Sequence, residues 1–524
     1  MARSTEGTVA RVARNGISLC TARIVTGAAS MLALPVLYER LGARQFGVWA
    51  VLTGAMAIVA LMDMGLGSSQ VREVARSLGG GSGRRARAVL GLGVVWAVGF
   101  GVLLVAATVV CWPWLTRGFH LGELAARARS AALFLQAGFV LDNLAMPWQA
   151  VLEGNQQYAA VARVSGGASV CGAGLAVIVV ARGGGLVALG ASSAAISAAR
   201  ALLLALAARR CAPALTPSLL SIKREDVSAV MGYGTRVQVS NAAAAINSET
   251  DRLVLAGFTS PVTVSGFDLG SRLVNVVRLP AEAVLTTLFP AAVTTACGDS
   301  KDRLDGLYLQ MTRYLSVYAA ATTAALVASA DPLVRLWLGH RVPLAATTIA
   351  VLTLGCAVNL TSGAAAIVTR SEGRPGRETR YALVAACLNV LLTIPLLRLC
   401  GPAGVPLSTT LAASAATGYF FVHFHRSSRR PIAPLGRIVM PPAAASLIAG
   451  ALTWMTAKHL PDGSGRVDAA IAVASRSGMA VVIVIGTLAA LGFFDRTDWA
   501  RLRTLVCGLV PIRSTAGQPD RRNR

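Results

Sequence analysis

Apolar stretches of about 18 to 25 residues recur along the whole chain, each long enough to cross a hydrocarbon layer of roughly 30 Å as a helix. By that length rule the pattern predicts about fourteen transmembrane helices. Their expected limits are 16–38, 46–68, 88–112, 130–152, 159–181, 185–208, 227–248, 262–293, 308–330, 343–369, 381–399, 402–424, 436–457 and 468–494. The longest inner connection, Ala208 to Asp226, falls near the middle. The fold class expected is therefore an all-α integral membrane protein built as two bundles. Its parts are an N-terminal six-helix bundle over 1–208, a cytoplasmic linker over 209–226, a second helical bundle over 227–430, two additional helices over 431–495 and a basic cytoplasmic tail over 496–524.

One predicted helix breaks the apolar rule. At about 100° per residue, Asp268, Ser271, Arg272, Asn275, Arg278 and Glu282 share an arc of roughly 120°, while Leu269, Leu273, Val277 and Leu285 complete the circumference. A helix facing lipid does not carry four charges on one side, so this face lines protein or water. A membrane protein with a polar interior follows, and transport is the leading functional class. Asp268 with Arg272, and Arg278 with Glu282, stand four residues apart, the spacing at which side chains meet on a helix. Ion pairing and substrate contact both remain open for these arginines.

Composition agrees: the chain is 54% hydrophobic and 14% charged, with a mean hydropathy of +0.61. The net charge of +25 is spread through short connections and not gathered on one folded face, which excludes nucleic acid as the expected partner. With the amino terminus placed in the cytoplasm, about 31 basic residues fall on the inner side and about 12 on the outer, so both termini are expected to be cytoplasmic. The inner clusters, such as Arg72, Arg76, Arg84, Arg85 and Arg87, or Arg370, Arg374, Arg377 and Arg380, are topology signals and contacts for anionic membrane lipids. Arg23 interrupts the first apolar run, which therefore reads as an uncleaved span.

Several classes of chemistry are not expected. The nine cysteines show no C-x-x-C spacing and imply neither a disulfide framework nor a metal site. The five histidines form no metal constellation, and His423 and His425 are expected at the membrane interface. Gly79 to Gly83 lacks the Gly-Lys-Ser/Thr ending of a phosphate loop. No metal, cofactor or enzymatic activity is expected.

Charges inside spans mark function or buried pairing. Arg236 and Arg272 lie about 13 and 15 Å into their spans at the helical rise, whereas Arg23 is shallow enough to snorkel. Asp142, beside Asn143, is either a proton-exchanging carboxylate or the ion-pair partner of one of these arginines. Asp63 is expected at a helix end or paired with Arg72 or Arg76. Asp251 and Arg252 are expected near the outer surface, in a gate or loop contact at most. Pro35, Pro147, Pro280, Pro290 and Pro395 are candidate kinks.

Three segments carry a resemblance. Leu34-Pro35-Val36-Leu37-Tyr38, Leu41-Gly42-Ala43-Arg44-Gln45-Phe46-Gly47-Val48-Trp49 and Leu61-Met62-Asp63-Met64-Gly65-Leu66-Gly67 resemble the opening of bacterial polysaccharide exporters of the O-antigen-flippase type. Asp251 to Gly257, Val264-Ser265-Gly266-Phe267, Ser271-Arg272-Leu273 and Leu288-Phe289-Pro290 are similar to the middle region of the same family, and the likeness extends over about residues 20–430. It implies the fold of the multidrug, oligosaccharidyl-lipid and polysaccharide exporter superfamily, with two bundles around a central cavity that opens alternately to either side. It further implies a bacterial inner-membrane location and an undecaprenyl-diphosphate-linked saccharide as substrate, with a polysaccharide polymerase and glycosyltransferases as partner enzymes. Arg23, Arg236, Arg272, Arg278 and Asn275 become the expected substrate contacts, because guanidinium forks match a diphosphate. Asp142, Asp268, Glu282 and Asp63 are the expected groups for charge pairing or proton coupling. The rival expectations are a lipid II flippase, a drug or cation exporter of the same superfamily, and a membrane-embedded polymerase or ligase.

Overall fold

The computed structural model describes residues 2–60, 65–80, 82–227, 249–296, 301–372, 376–457, 465–495 and 498. The first half comprises α1 (Ala2–Val59), α2 (Leu66–Leu78), α3 (Gly83–Gly118), α4 (Ala125–Gly154), α5 (Tyr158–Ala181) and α6 (Leu186–Cys211). The second comprises α7 (249–258), α8 (Pro261–Ala296), α9 (Lys301–Leu338), α10 (Pro343–Thr361), α11 (Gly363–Ser371), α12 (Gly376–Cys400) and α13 (Gly404–Ser428). Two more helices follow, α14 (Ala433–Ala457) and α15 (Arg466–Ala490). Among the described residues ten stretches are long and apolar enough to cross a membrane, and one of them, Gly376–Ser428, holds both α12 and α13. The chain is thus a multi-pass, all-helical membrane protein. The expected span 227–248 lies, but for its first residue, outside the described residues.

The boundaries differ from the apolar pattern at two places, each for a local reason. The spans expected at 16–38 and 46–68 are one element, α1, broken at Gly42 (φ 76°, ψ 159°) and ending at Val59. That backbone region is closed to residues with a Cβ, so glycine lets the chain change direction without a loop. The element after it, α2, has only 13 residues and puts Arg72, Glu73 and Arg76 along its length. The run expected at 343–369 is divided at Ser362, whose hydroxyl donates to the Asn359 carbonyl at 2.7 Å.

Packing follows the two halves. In the first, α4 lies against α6 and α3, and α5 against α1 and α6; in the second, α10 contacts α8, α9 and α13, and α12 pairs with α13. Both α14 and α15 attach to α9. The segment after α6 folds back onto α3, where the Ser218 amide donates to the Arg87 carbonyl at 3.1 Å and Arg84 reaches the Ser221 carbonyl at 2.8 Å.

The halves meet where α1 lies along α8. One apolar core crosses this seam, joining Leu37, Tyr38, Leu41 and Phe46 of α1 to Leu269 and Val274 of α8, Val334 of α9 and Ile349 of α10. Gly47 makes the approach close, since a Cβ there would lie 1.7 Å from the carbonyl oxygen of Pro261.

Candidate substrate cavity

Ser271, Asn275, Arg278 and Glu282 succeed one another at intervals of three or four residues, so they rise along a single face of α8. That face borders a cavity of about 680 Å³ within the second half, lined by α7, α8, α10, α11, α12 and α13 together with Ile24 of α1. Gly270 brings α10 close behind the stripe, since a Cβ there would meet the Ala345 carbonyl oxygen at 2.6 Å. On the other side the Tyr318 hydroxyl donates to the Val277 carbonyl at 2.7 Å, tying α8 to α9.

At one end the charges form an alternating chain. Glu249 Oε2 lies 2.6 Å from Arg252 Nη1, Arg252 Nε lies 2.9 Å from Asp268 Oδ1, and the other oxygen of Asp268 accepts from Arg272 Nε at 2.7 Å. Asp268 is fully buried, a burial that costs far less with two guanidinium groups beside it than without. Next to this chain, Asp251 accepts hydrogen bonds from Asn389 Nδ2 at 3.1 Å and from the Thr409 hydroxyl. Among the described residues no ion pair involves Asp251, whose side-chain partners are an amide and a hydroxyl.

The other end holds two separate pairs. Arg278 Nε is 3.5 Å from Glu282 Oε1, both side chains being about half exposed. Arg370 at the end of α11 grips Glu378 in the first turn of α12 through two contacts, Nε to Oε2 at 2.6 Å and Nη2 to Oε1. The cavity wall therefore presents three arginines, Arg252, Arg278 and Arg370, against four carboxylates, Glu249, Asp251, Glu282 and Glu378.

The residues expected from sequence are not all gathered here. Asn275, Arg278 and Glu282 line the cavity. Asp268 and Arg272 belong to the adjoining ion-pair chain, and Arg272 does not reach the cavity wall. Arg23 falls within α1, but its side chain, like all of Arg236 and Asp63, lies outside the described residues. Asp142 is in the first half, where Arg200 Nη1 lies 2.6 Å from its Oδ1 and Ser197 donates to its Oδ2 at 2.9 Å. Arg200 also reaches Gln149 at 2.8 Å and Ser165 at 3.2 Å.

Two expectations need correction. Of the gate and the loop contact expected for Asp251 and Arg252, the loop is ruled out: both stand on α7, Asp251 is 2% exposed, and both border the cavity. His425, expected at the membrane interface, lies in the last turn of α13, where aromatic packing covers it and Tyr308 Oη meets its Nε2 at 3.0 Å. The partner of Asp142 is none of the four arginines expected as substrate contacts, but Arg200, itself inside an apolar run and recognisable by the same rule. Arg72 and Arg76 both contact Glu73.

The profile of a protein family described as "Polysaccharide biosynthesis protein" matches residues 12–295, more than half of the chain. The chain belongs to this family. The match takes in the first half, α7 and α8, and ends before the remaining walls of the cavity. No curated protein matches the chain in sequence. Among solved structures, the fold is similar to the lipid II flippase MurJ in an inward closed conformation, at 13% identity and a TM-score of 0.69, over 91% of this chain and 98% of that one. It is also similar to an inward-facing multidrug resistance MATE family transporter of the MOP superfamily, at 14% identity and a TM-score of 0.66, over 76% of this chain and 94% of that one. A MATE structure in the bent conformation follows, at 15% identity and a TM-score of 0.54, over 83% and 96%. The fold of this family member is thus similar to that of these solved transporters.

Proposed function

We propose that the protein is a flippase that carries a lipid-linked saccharide, joined to undecaprenyl through a diphosphate, across the bacterial inner membrane by alternating access. The observation that supports this most is the α8 stripe: a polar, arginine-bearing face on a membrane-length helix turned into a cavity. A volume of about 680 Å³ falls within the usual range for small-ligand sites, which suits a diphosphate with its first sugars while the prenyl tail stays in lipid. Arg278 and Asn275 face that headgroup directly. Arg272, Arg23 and Arg236 supply positive charge around it, and Asp142, Asp268, Glu282 and Asp63 serve charge pairing or proton coupling.

The excess of basic residues on one side of the apolar pattern puts both termini in the cytoplasm. In that orientation the Arg370–Glu378 end of the cavity faces the cytoplasm, and the core joining α1 to α8 closes the outer side. The six helices within 1–208 and the bundle within 227–430 act as the two rocking units, joined by the linker 209–226, with the pair within 431–495 carried by the second. The expected partner enzymes are the glycosyltransferases that build the saccharide and the polymerase that consumes it.

One observation favours a second reading. Four carboxylates against three arginines on the cavity wall suit an exporter of amphipathic cations, and one of the similar solved structures is named as a multidrug resistance transporter. Cells lacking the protein separate the two. The flippase reading expects a lipid-linked saccharide to accumulate on the cytoplasmic leaflet; unchanged glycan intermediates together with raised sensitivity to cationic drugs would establish the other. Loss of viability with accumulated lipid II would instead assign the protein to peptidoglycan synthesis.

A further inference from the structure

Each arginine on the cavity wall already holds a carboxylate from the same wall: Arg252 with Glu249, Arg278 with Glu282, and Arg370 with Glu378. Among the described residues of this wall, a phosphorylated headgroup meets no arginine without a carboxylate beside it, and an excess of acid. The Arg370–Glu378 pair differs from the others in geometry. Its two near-parallel contacts, Nε to Oε2 at 2.6 Å and Nη2 to Oε1, are the fork arrangement by which a guanidinium binds a phosphate. Neither partner is sealed away, the side chains being 49% and 28% exposed. Glu378 also stands in the first turn of α12, where the helix dipole favours whichever anion occupies the place.

We propose that Glu378 is a resident substitute for a substrate phosphate, and that the cavity loads a polyprenyl diphosphate by exchange on Arg370. This rests on the flippase reading above. A phosphate of the incoming headgroup takes the fork from Glu378 on loading, and Glu378 takes it back on release. The empty carrier then never holds an uncompensated arginine in a low-dielectric wall. Substrate leaves without breaking a charge-assisted contact that nothing replaces. Arg278 and Glu282, with one contact at 3.5 Å, are a looser pair and give a smaller competition.

The test uses the full chain purified in lipid nanodiscs, with farnesyl diphosphate and farnesol as probes at fixed ionic strength. Wild type should prefer the diphosphate. Glu378→Gln should bind farnesyl diphosphate at least about tenfold more tightly, by removing the competing charge, leave farnesol binding unchanged, and slow turnover in proteoliposomes. Arg370→Ala should lose diphosphate binding, and Arg370→Lys should not restore it, because an ammonium lacks the fork. Unchanged or weaker diphosphate affinity in Glu378→Gln, at the wild-type unfolding temperature, overturns the exchange. Should that variant fold poorly, Glu378→Asp withdraws the carboxylate by one methylene and must also tighten binding; no tightening there overturns the proposal equally. A wild-type protein that binds farnesol as well as farnesyl diphosphate defeats the flippase reading itself, an outcome distinct from failure of the glutamate variants alone.

Discussion

Arg252 on α7 and Asp268 on α8 face each other at 2.9 Å, and Asp268 has no exposed surface. The carboxylate is shared, since Arg272 holds its second oxygen at 2.7 Å. One buried acid thus pairs with two arginines and ties α7 to α8. Asp268→Asn should cost about 3–5 kcal/mol, the range for breaking a buried pair by removing one partner. Glu282→Gln, which disturbs a half-exposed pair, should cost under about 1 kcal/mol. Thermal unfolding of the purified variants measures both, and equal losses would contradict the difference in burial.

The seam between the halves depends on two glycines. Gly42 has φ 76° and ψ 159°, so Gly42→Ala should destabilise by about 1–3 kcal/mol through backbone strain. Gly47→Ala places a methyl against the Pro261 carbonyl, 1.7 Å away before relaxation, and must push α1 from α8 at a cost of about 1–3 kcal/mol or more. A Gly47→Ala protein that unfolds at the wild-type temperature would show that the two helices do not approach so closely.

Asp142 and Arg200 bridge α4 and α6 at 2.6 Å with side chains 42% and 23% exposed. Such partly exposed pairs are worth about 1 kcal/mol. In a double-mutant cycle, Arg200→Ala combined with Asp142→Asn should recover part of the stability that Arg200→Ala loses alone. If the double variant regains stability but not glycan export, the carboxylate has a role in transport beyond neutralising Arg200; if it regains neither, the pair is not the main partner of each residue.

How much of this was visible in the sequence depends on the range of the interaction. Apolar runs of membrane length need no partner to be recognised, and the stripe on α8 is legible because Ser271, Asn275, Arg278 and Glu282 repeat at the helical period. The break in α1 is less so. Gly42 and Gly47 look alike in sequence, yet one supplies a positive φ and the other a close contact across the seam. The far walls of the cavity are less legible still. Arg370 reads as part of one more inner-side basic cluster and Glu378 does not stand out, since the cavity they border forms only when α8, α11 and α12 come together. Asp251 looks peripheral for the same reason. Its burial is set by Asn389 on α12 and Thr409 on α13, more than a hundred residues away.

The central claim is that the second-half cavity carries a diphosphate-linked headgroup across the bilayer, and reconstituted transport tests it most directly. Proteoliposomes containing the wild-type chain, loaded with a fluorescent short-chain polyprenyl-diphosphate sugar, should move the lipid between leaflets faster than protein-free vesicles. Arg278→Ala, at equal protein content and unfolding temperature, should reduce that rate at least about tenfold, as expected for loss of a charge-assisted phosphate contact. Transport by Arg278→Ala at the wild-type rate would contradict the claim.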